Sequence, residues 1–99
     1  MFDLSKITGF DWDDGNARKN EKHNVTMQES EQVFFNQPLL VIDDEKHSSK
    51  ETRYHALGKS NEKRFLHITF TLHENDTKLR VISARSMSQK EEQFYVQKT

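Results

Sequence analysis

The 99 residues make one domain, spanning 1–99, with room for one modest core. Their 15 Lys and Arg against 16 Asp and Glu leave a net charge of −1; nucleic-acid binders usually show a basic excess, so any RNA contact must come from local clustering of cations. The lack of Cys excludes a disulfide framework and a cysteine zinc site and points to a reducing cytoplasm, while no apolar run nears the roughly 20 residues that span a bilayer and Met1-Phe2-Asp3 does not open a secretion signal.

Ile7, Phe10 and Trp12 alternate with polar positions and predict an extended first segment over residues 1 to 12, consistent with a strand of period two. Asp13 or Asp14 can cap a helix over about Gly15 to His23. That helix is polar, with only Ala17 to bury, and Asn24 ends it because Asn tolerates the left-handed conformation. Thr26 with Glu29 makes a capping box. A second helix follows from about Met27 to Phe35, with Met27, Val33 and Phe34 toward the core, and Pro38 stops it.

The second half reads as β. Leu39 to Ile42 is an apolar run of strand length, and Asp43 to Lys50 a polar loop. Arg53 to Leu57 is the next strand, followed by turn residues around Gly58. Phe65 to Leu72 alternates most clearly: Leu66, Ile68, Phe70 and Leu72 share one face, and Phe65, His67, Thr69 and Thr71 the other. Lys78 to Ala84 is the last strand. Ser88 with Glu91 repeats the capping box and opens a terminal helix anchored by Phe94 and Tyr95. Short turns between successive strands imply hairpins. The expected fold class is therefore α+β: two N-terminal helices, an antiparallel meander of about three to four strands and a C-terminal helix, with the helices on one sheet face.

The run Leu79-Arg80-Val81-Ile82-Ser83-Ala84-Arg85 sets two cations in or beside a strand. An Arg held between packed neighbours presents a planar fork of donors suited to phosphate; the plain alternative is an Arg pointing to water. His47, Glu51 and Arg53 can converge where the polar loop meets the next strand. Glu51 and Arg53 share a face if the strand starts early enough, and either form a surface ion pair or do work: His47 moving a proton, Arg53 stabilising a phosphate, Glu51 orienting one of them or acting as base. His23, His47, His55, His67 and His73 lack metal-ligand spacing, and no metal or cofactor is expected. Asp13-Asp14 and Asp43-Asp44 read as a cap and a turn. Phosphate-binding glycine loops and nucleophile elbows are absent.

Several segments, taken in order, resemble BrnT-type toxins of bacterial type II toxin–antitoxin systems. They are Phe10-Asp11-Trp12-Asp13, Lys22-His23-Asn24-Val25, Val33-Phe34 with Pro38, Asp44-x-x-His47-Ser48, Glu51-x-Arg53-Tyr54-x-x-Leu57-Gly58, Phe70-Thr71 and Arg80-Val81-Ile82-Ser83-Ala84-Arg85. The resemblance runs from about Phe10 to Tyr95.

The resemblance implies a RelE-like ribonuclease fold and metal-independent RNA cleavage that halts translation, with the ribosome as one possible setting. It implies a cognate antitoxin that binds DNA, represses its own operon and forms a hetero-oligomer with the toxin, with no membrane role. Carried over, the implied site is Lys22 and His23 after the first helix, His47, Glu51 and Arg53 around the loop, and Arg80 and Arg85 on the last strand. Lys22, Arg53, Arg80 and Arg85 would bind RNA; His23, His47, Glu51, Arg53, Arg80 and Arg85 would make up the catalytic set. The alternative is a protein-interaction domain of the same fold, without catalysis, whose arginines hold an acidic partner segment.

Overall fold

A computed structural model of the chain describes residues 2–13, 15, 23–47 and 50–99. After a 3-10 turn at Leu4–Lys6, the elements are β1 (Gly9–Asp11), α1 (Met27–Val33), β2 (Leu40–Asp44), a 3-10 turn at Glu45–His47, β3 (Arg53–Lys59), β4 (Phe65–His73), β5 (Lys78–Ser86) and α2 (Gln89–Lys98). The five strands form one sheet in the order β1-β5-β4-β3-β2. β2 to β5 pair antiparallel, whereas β1 lies parallel to β5, with Phe10 opposite Leu79 and Asp11 opposite Arg80.

This corrects the expected fold class. The described residues hold two α-helices, one before the meander and one after it, and the sheet is mixed and five-stranded. The helix expected over Gly15 to His23 falls almost wholly outside the described residues. The N-terminal segment became a sheet strand because it docks on a partner almost seventy residues away (Gly9 to Lys78). A three-residue parallel pairing leaves no local pattern in sequence.

The helices also lie on opposite faces, not on one. Gly58 and Leu57 are neighbours on β3 and so point opposite ways. On the Gly58 side, α1 presses so close that a β-carbon on Gly58 would stand 2.9 Å from Val33 Cγ1. That face carries the main core: Val33, Phe34, Tyr54, Ala56, Leu66, Ile68, Phe70, Leu79, Val81 and Ala84 are buried in one cluster. On the other side Leu57, Met87 and Tyr95 form a smaller cluster with Leu40 and Phe65, and this is where α2 docks. Tyr95 donates its hydroxyl hydrogen bond to the Pro38 carbonyl.

Both capping boxes are present, Thr26 with Glu29 and Ser88 with Glu91. Met27, expected in the core, is 41% exposed on the first turn of α1. No described helix is long and apolar enough to cross a membrane.

Candidate active site: a charged row across the sheet

The face that bears α2 is apolar under the helix and beside it at the partly exposed Ile42. Beyond the helix it is polar, and strand register determines which side chains meet there. Residues directly opposite in a sheet point the same way. Asp11 pairs with Arg80, Arg80 with Thr71, Thr71 with Arg53, and Arg53 with Asp44. One row therefore crosses all five strands: Asp11, Arg80, Thr71, Arg53, Asp44. Its two arginines flank Thr71, about two strand spacings or roughly 10 Å apart at the backbone. Thr71 is buried and donates to the Thr52 carbonyl at 2.6 Å, which holds the start of β3 against β4.

Carboxylates bracket the row. Arg80 Nη2 is 3.4 Å from Asp11 Oδ2, and Nη1 is 4.0 Å from Asp13 Oδ2. His73 Nδ1 also reaches Asp11 Oδ2, at 3.3 Å. Arg53 Nη2 is 3.7 Å from Glu51 Oε1, so the ion pair expected from their spacing forms. About a third of each arginine side chain remains exposed.

At the β2 end the turn Glu45–His47 brings His47 back over Asp44. The His47 N–H donates to Asp44 Oδ1 at 3.2 Å, and the ring Nδ1 lies 3.0 Å from Asp44 Oδ2. The His47 ring is largely exposed, while Asp44 is buried. Burial raises the Asp44 pKa, but hydrogen bonds from the His47 side chain and backbone, and from His55, outweigh it and hold the carboxyl below the ordinary range. A carboxylate on Nδ1 selects the tautomer that leaves Nε2 without a proton and turned outward.

Arg85 is placed differently. Its guanidinium grips Glu91 of α2 with two bonds, 2.8 Å from Nη1 to Oε1 and 2.9 Å from Nη2 to Oε2. Glu91 is also the capping residue of that helix, since its Oε1 accepts from the Ser88 N–H at 2.9 Å. Burial would raise the Glu91 pKa, but these donors, Arg85 foremost, bring it down to about 2.

His47, Glu51, Arg53 and Arg80 thus come together along or beside the row. Arg85 shares their face but is committed to the helix. His23 stands in an exposed turn next to Asn24, whose carbonyl accepts from Arg64 before the start of β4, at the end of the sheet away from Thr71. The structure does not bring His23 to the row. Lys22 lies outside the described residues. Sequence reasoning missed Asp44 and Asp11 as site residues; that His55 and His67, on neighbouring strands, can face each other across the sheet was legible, and the rings do meet. An Asp three residues before His47 was a usable signal for Asp44; Asp11 needed the strand register. Among the described residues no group of three His, Asp or Glu is arranged to hold a metal ion.

Residues 12–91 match the family of BrnT ribonuclease toxins of type II toxin–antitoxin systems. The chain belongs to this family. By family it is a ribonuclease toxin, and its partner is an antitoxin protein. The fold is similar to the crystal structure of the Brucella abortus ribonuclease toxin BrnT, with a TM-score of 0.61 and 24% identity over 82% of this chain and 97% of that one. At that identity the likeness is one of fold. No curated protein matches the chain in sequence. The BrnT match includes every residue of the charged row except Asp11, which lies one residue before it.

Proposed function

We propose that the row is the centre of a metal-independent endoribonuclease of RelE-like type. Cleavage of RNA within the chain needs a base for the 2′-hydroxyl proton, cations for the pentavalent phosphate and an acid for the departing 5′ oxygen. The observation that carries the reading is the row itself, which sets Arg53 next to the Asp44–His47 pair and Arg80 two strands further along the same face. His47 Nε2 takes the 2′-hydroxyl proton, with Asp44 stabilising the imidazolium that forms. Arg53 and Arg80 hold the phosphate from two sides, displacing Glu51 and Asp11 from their inner contacts. Glu51 is the alternative base. Lys22 adds charge for the RNA backbone, with Arg85 at its margin while it holds Glu91, and the departing 5′ oxygen takes its proton from water unless RNA binding draws in His23 as the acid.

The biological reading follows the family. Cleavage in the cytoplasm, on free or ribosome-bound message, halts translation. A cognate DNA-binding antitoxin neutralises the toxin in a hetero-oligomer and represses their operon.

The test is growth arrest and RNA cleavage by the isolated chain, with and without EDTA, against an Arg53→Ala/Arg80→Ala double variant. Activity that survives EDTA and is lost in the variant supports the reading. A folded, inactive chain favours the second reading, a binding module whose arginines hold an acidic partner. One observation speaks for that alternative: Asp11, Asp13 and Glu51 already show how carboxylates sit on these arginines.

A further inference from the structure

His55 and His67 are not used by the cleavage scheme, yet they link its Asp44 to Glu91 on α2. His55 sits two residues beyond Arg53 on the same face, and its ring meets that of His67 edge to face with centroids 4.8 Å apart. The contacts form a chain. His55 Nε2 is 2.9 Å from Asp44 Oδ2, His67 Nε2 is 2.9 Å from His55 Nδ1, and His67 Nδ1 is 2.8 Å from Glu91 Oε2. Thr69 Oγ1 supports His55 Nδ1 from the side at 3.0 Å.

Proton counting constrains this chain. Three contacts in series, carboxylate to ring, ring to ring and ring to carboxylate, each need one proton between the heavy atoms. Two neutral imidazoles carry only two. With two, one contact would set lone pair against lone pair at less than 3 Å, which is repulsive. We infer that the two rings share one extra proton between Asp44 and Glu91, and that through Asp44 this pair acts as a positioning device for His47. The inference rests on the reading of His47 as the base.

Asp44 is the link, because a single oxygen, Oδ2, receives both His47 Nδ1 and His55 Nε2. A proton on His55 Nε2 fixes the rotation of the carboxylate, and the carboxylate fixes the His47 ring. The groups facing the pair are Asp44 and His47 from β2 and its turn, Arg53 from β3, Arg85 from β5, and Lys90 and Glu91 from α2. Burial, with Arg85 beside it, disfavours a charge on His67, and Glu91 opposes this only in part. The shared proton is therefore drawn toward Asp44. Without it one of the three contacts breaks, and the Asp44 carboxylate is free to turn away from His47.

The experiment joins imidazole ¹⁵N NMR with the pH profile of RNA cleavage, on the full chain and on His55→Gln and His55→Leu. Glutamine can donate to Asp44 but does not titrate; leucine does neither. In the parent, three N–H protons on the pair are expected at neutral pH, and kcat should fall on the alkaline side in step with the loss of the third. His55→Gln should keep kcat within about tenfold and lose that alkaline step. His55→Leu should lose about a hundredfold in kcat at every pH, the scale of a small misplacement of a reacting group, with KM little changed. Two neutral rings at neutral pH, or the same alkaline step in His55→Gln, would overturn the inference. A parent chain that cleaves no RNA removes the role of His47, and positioning with it; the NMR count then decides the shared proton by itself.

Discussion

Arg80 and Arg85 project from the same face of the sheet although they stand five residues apart on one strand. In a regular strand an odd separation puts two side chains on opposite faces. The register supplies the reason: Phe70 faces Val81 but Thr69 faces Ser83, so Ile82 is an extra residue on β5. This bulge turns the strand by one position, and both cations reach the polar face while Val81 and Ala84 stay in the core.

Sharing a face does not give the arginines one job, and single substitutions should separate them. Arg80→Ala should lower kcat/KM for RNA by roughly 10²- to 10³-fold, as loss of a charge-stabilising donor does, with little change in the urea midpoint. Arg85→Ala should instead cost about 1–3 kcal/mol of stability, because Glu91 loses a charged, two-bonded donor at a partly buried junction. Equal effects of the two changes on stability would refute this division.

Acid should loosen the α2 junction. Glu91 is held near 2 against an ordinary 4.5, so its contribution is complete above 4.5 and is lost as the pH falls from there toward 2. His67 is also depressed by burial; being harder to protonate folded than unfolded, it adds stability that fades as the pH drops below its ordinary 6.5. Both act in the same direction. Unfolding free energy should decline below about pH 6.5 and more steeply below 4.5, with Glu91 responsible for on the order of 2 kcal/mol. Glu91→Gln should flatten the steep part in urea titrations between pH 5 and 3.

The contact of α1 with the sheet depends on the missing side chain at Gly58. Gly58→Ala sets a methyl 2.9 Å from Val33 Cγ1 and 3.5 Å from the Val33 carbonyl. A cost of about 1–3 kcal/mol is expected. Val33→Ala opens room at the nearer contact, so the double variant should be more stable than the sum of the single losses implies. Strict additivity in a denaturation cycle would show that the two residues do not press on each other.

If Arg53 meets phosphate, its removal changes the response to salt as well as the affinity. The slope of log K against log salt for a short uncleavable RNA should shrink by about 0.7 in Arg53→Ala, the release expected for one phosphate contact on a single strand. An unchanged slope would place Arg53 off the RNA path.

Much of the sheet was legible from residue patterns. The alternation Leu66, Ile68, Phe70, Leu72 marks the core face of β4, and both capping boxes appear where Thr26 and Ser88 predict them. Local chemistry gave the His47, Glu51 and Arg53 cluster, because those residues lie within seven positions of one another. What local pattern cannot carry is register. β1 beside β5 and the extra residue at Ile82 depend on which strand lies next to which, whereas His55 and His67, on two strands joined by a short turn, meet as their placement allows. Asp43 and Asp44 were read as turn residues because acidic pairs favour turns; they extend β2 instead, where Asp44 is buried and partnered by two imidazoles. The role of Arg85 was hidden because its partner Glu91 already had an explanation as a cap.

The parallel seam between β1 and β5 also bears on when the toxin first becomes dangerous. Asp11 is synthesised almost seventy residues before Arg80, its partner across the seam. Arg53 can pair with β2 early, but the row lacks its middle and its second cation until β4 and β5 have been made. A nascent chain stalled before residue 78 holds half of the phosphate grip and no strand for β1 to join. The ribosome making this protein is therefore exposed to a finished site only once β5 has emerged, and assembly is paced by the slow closure of this long-range contact.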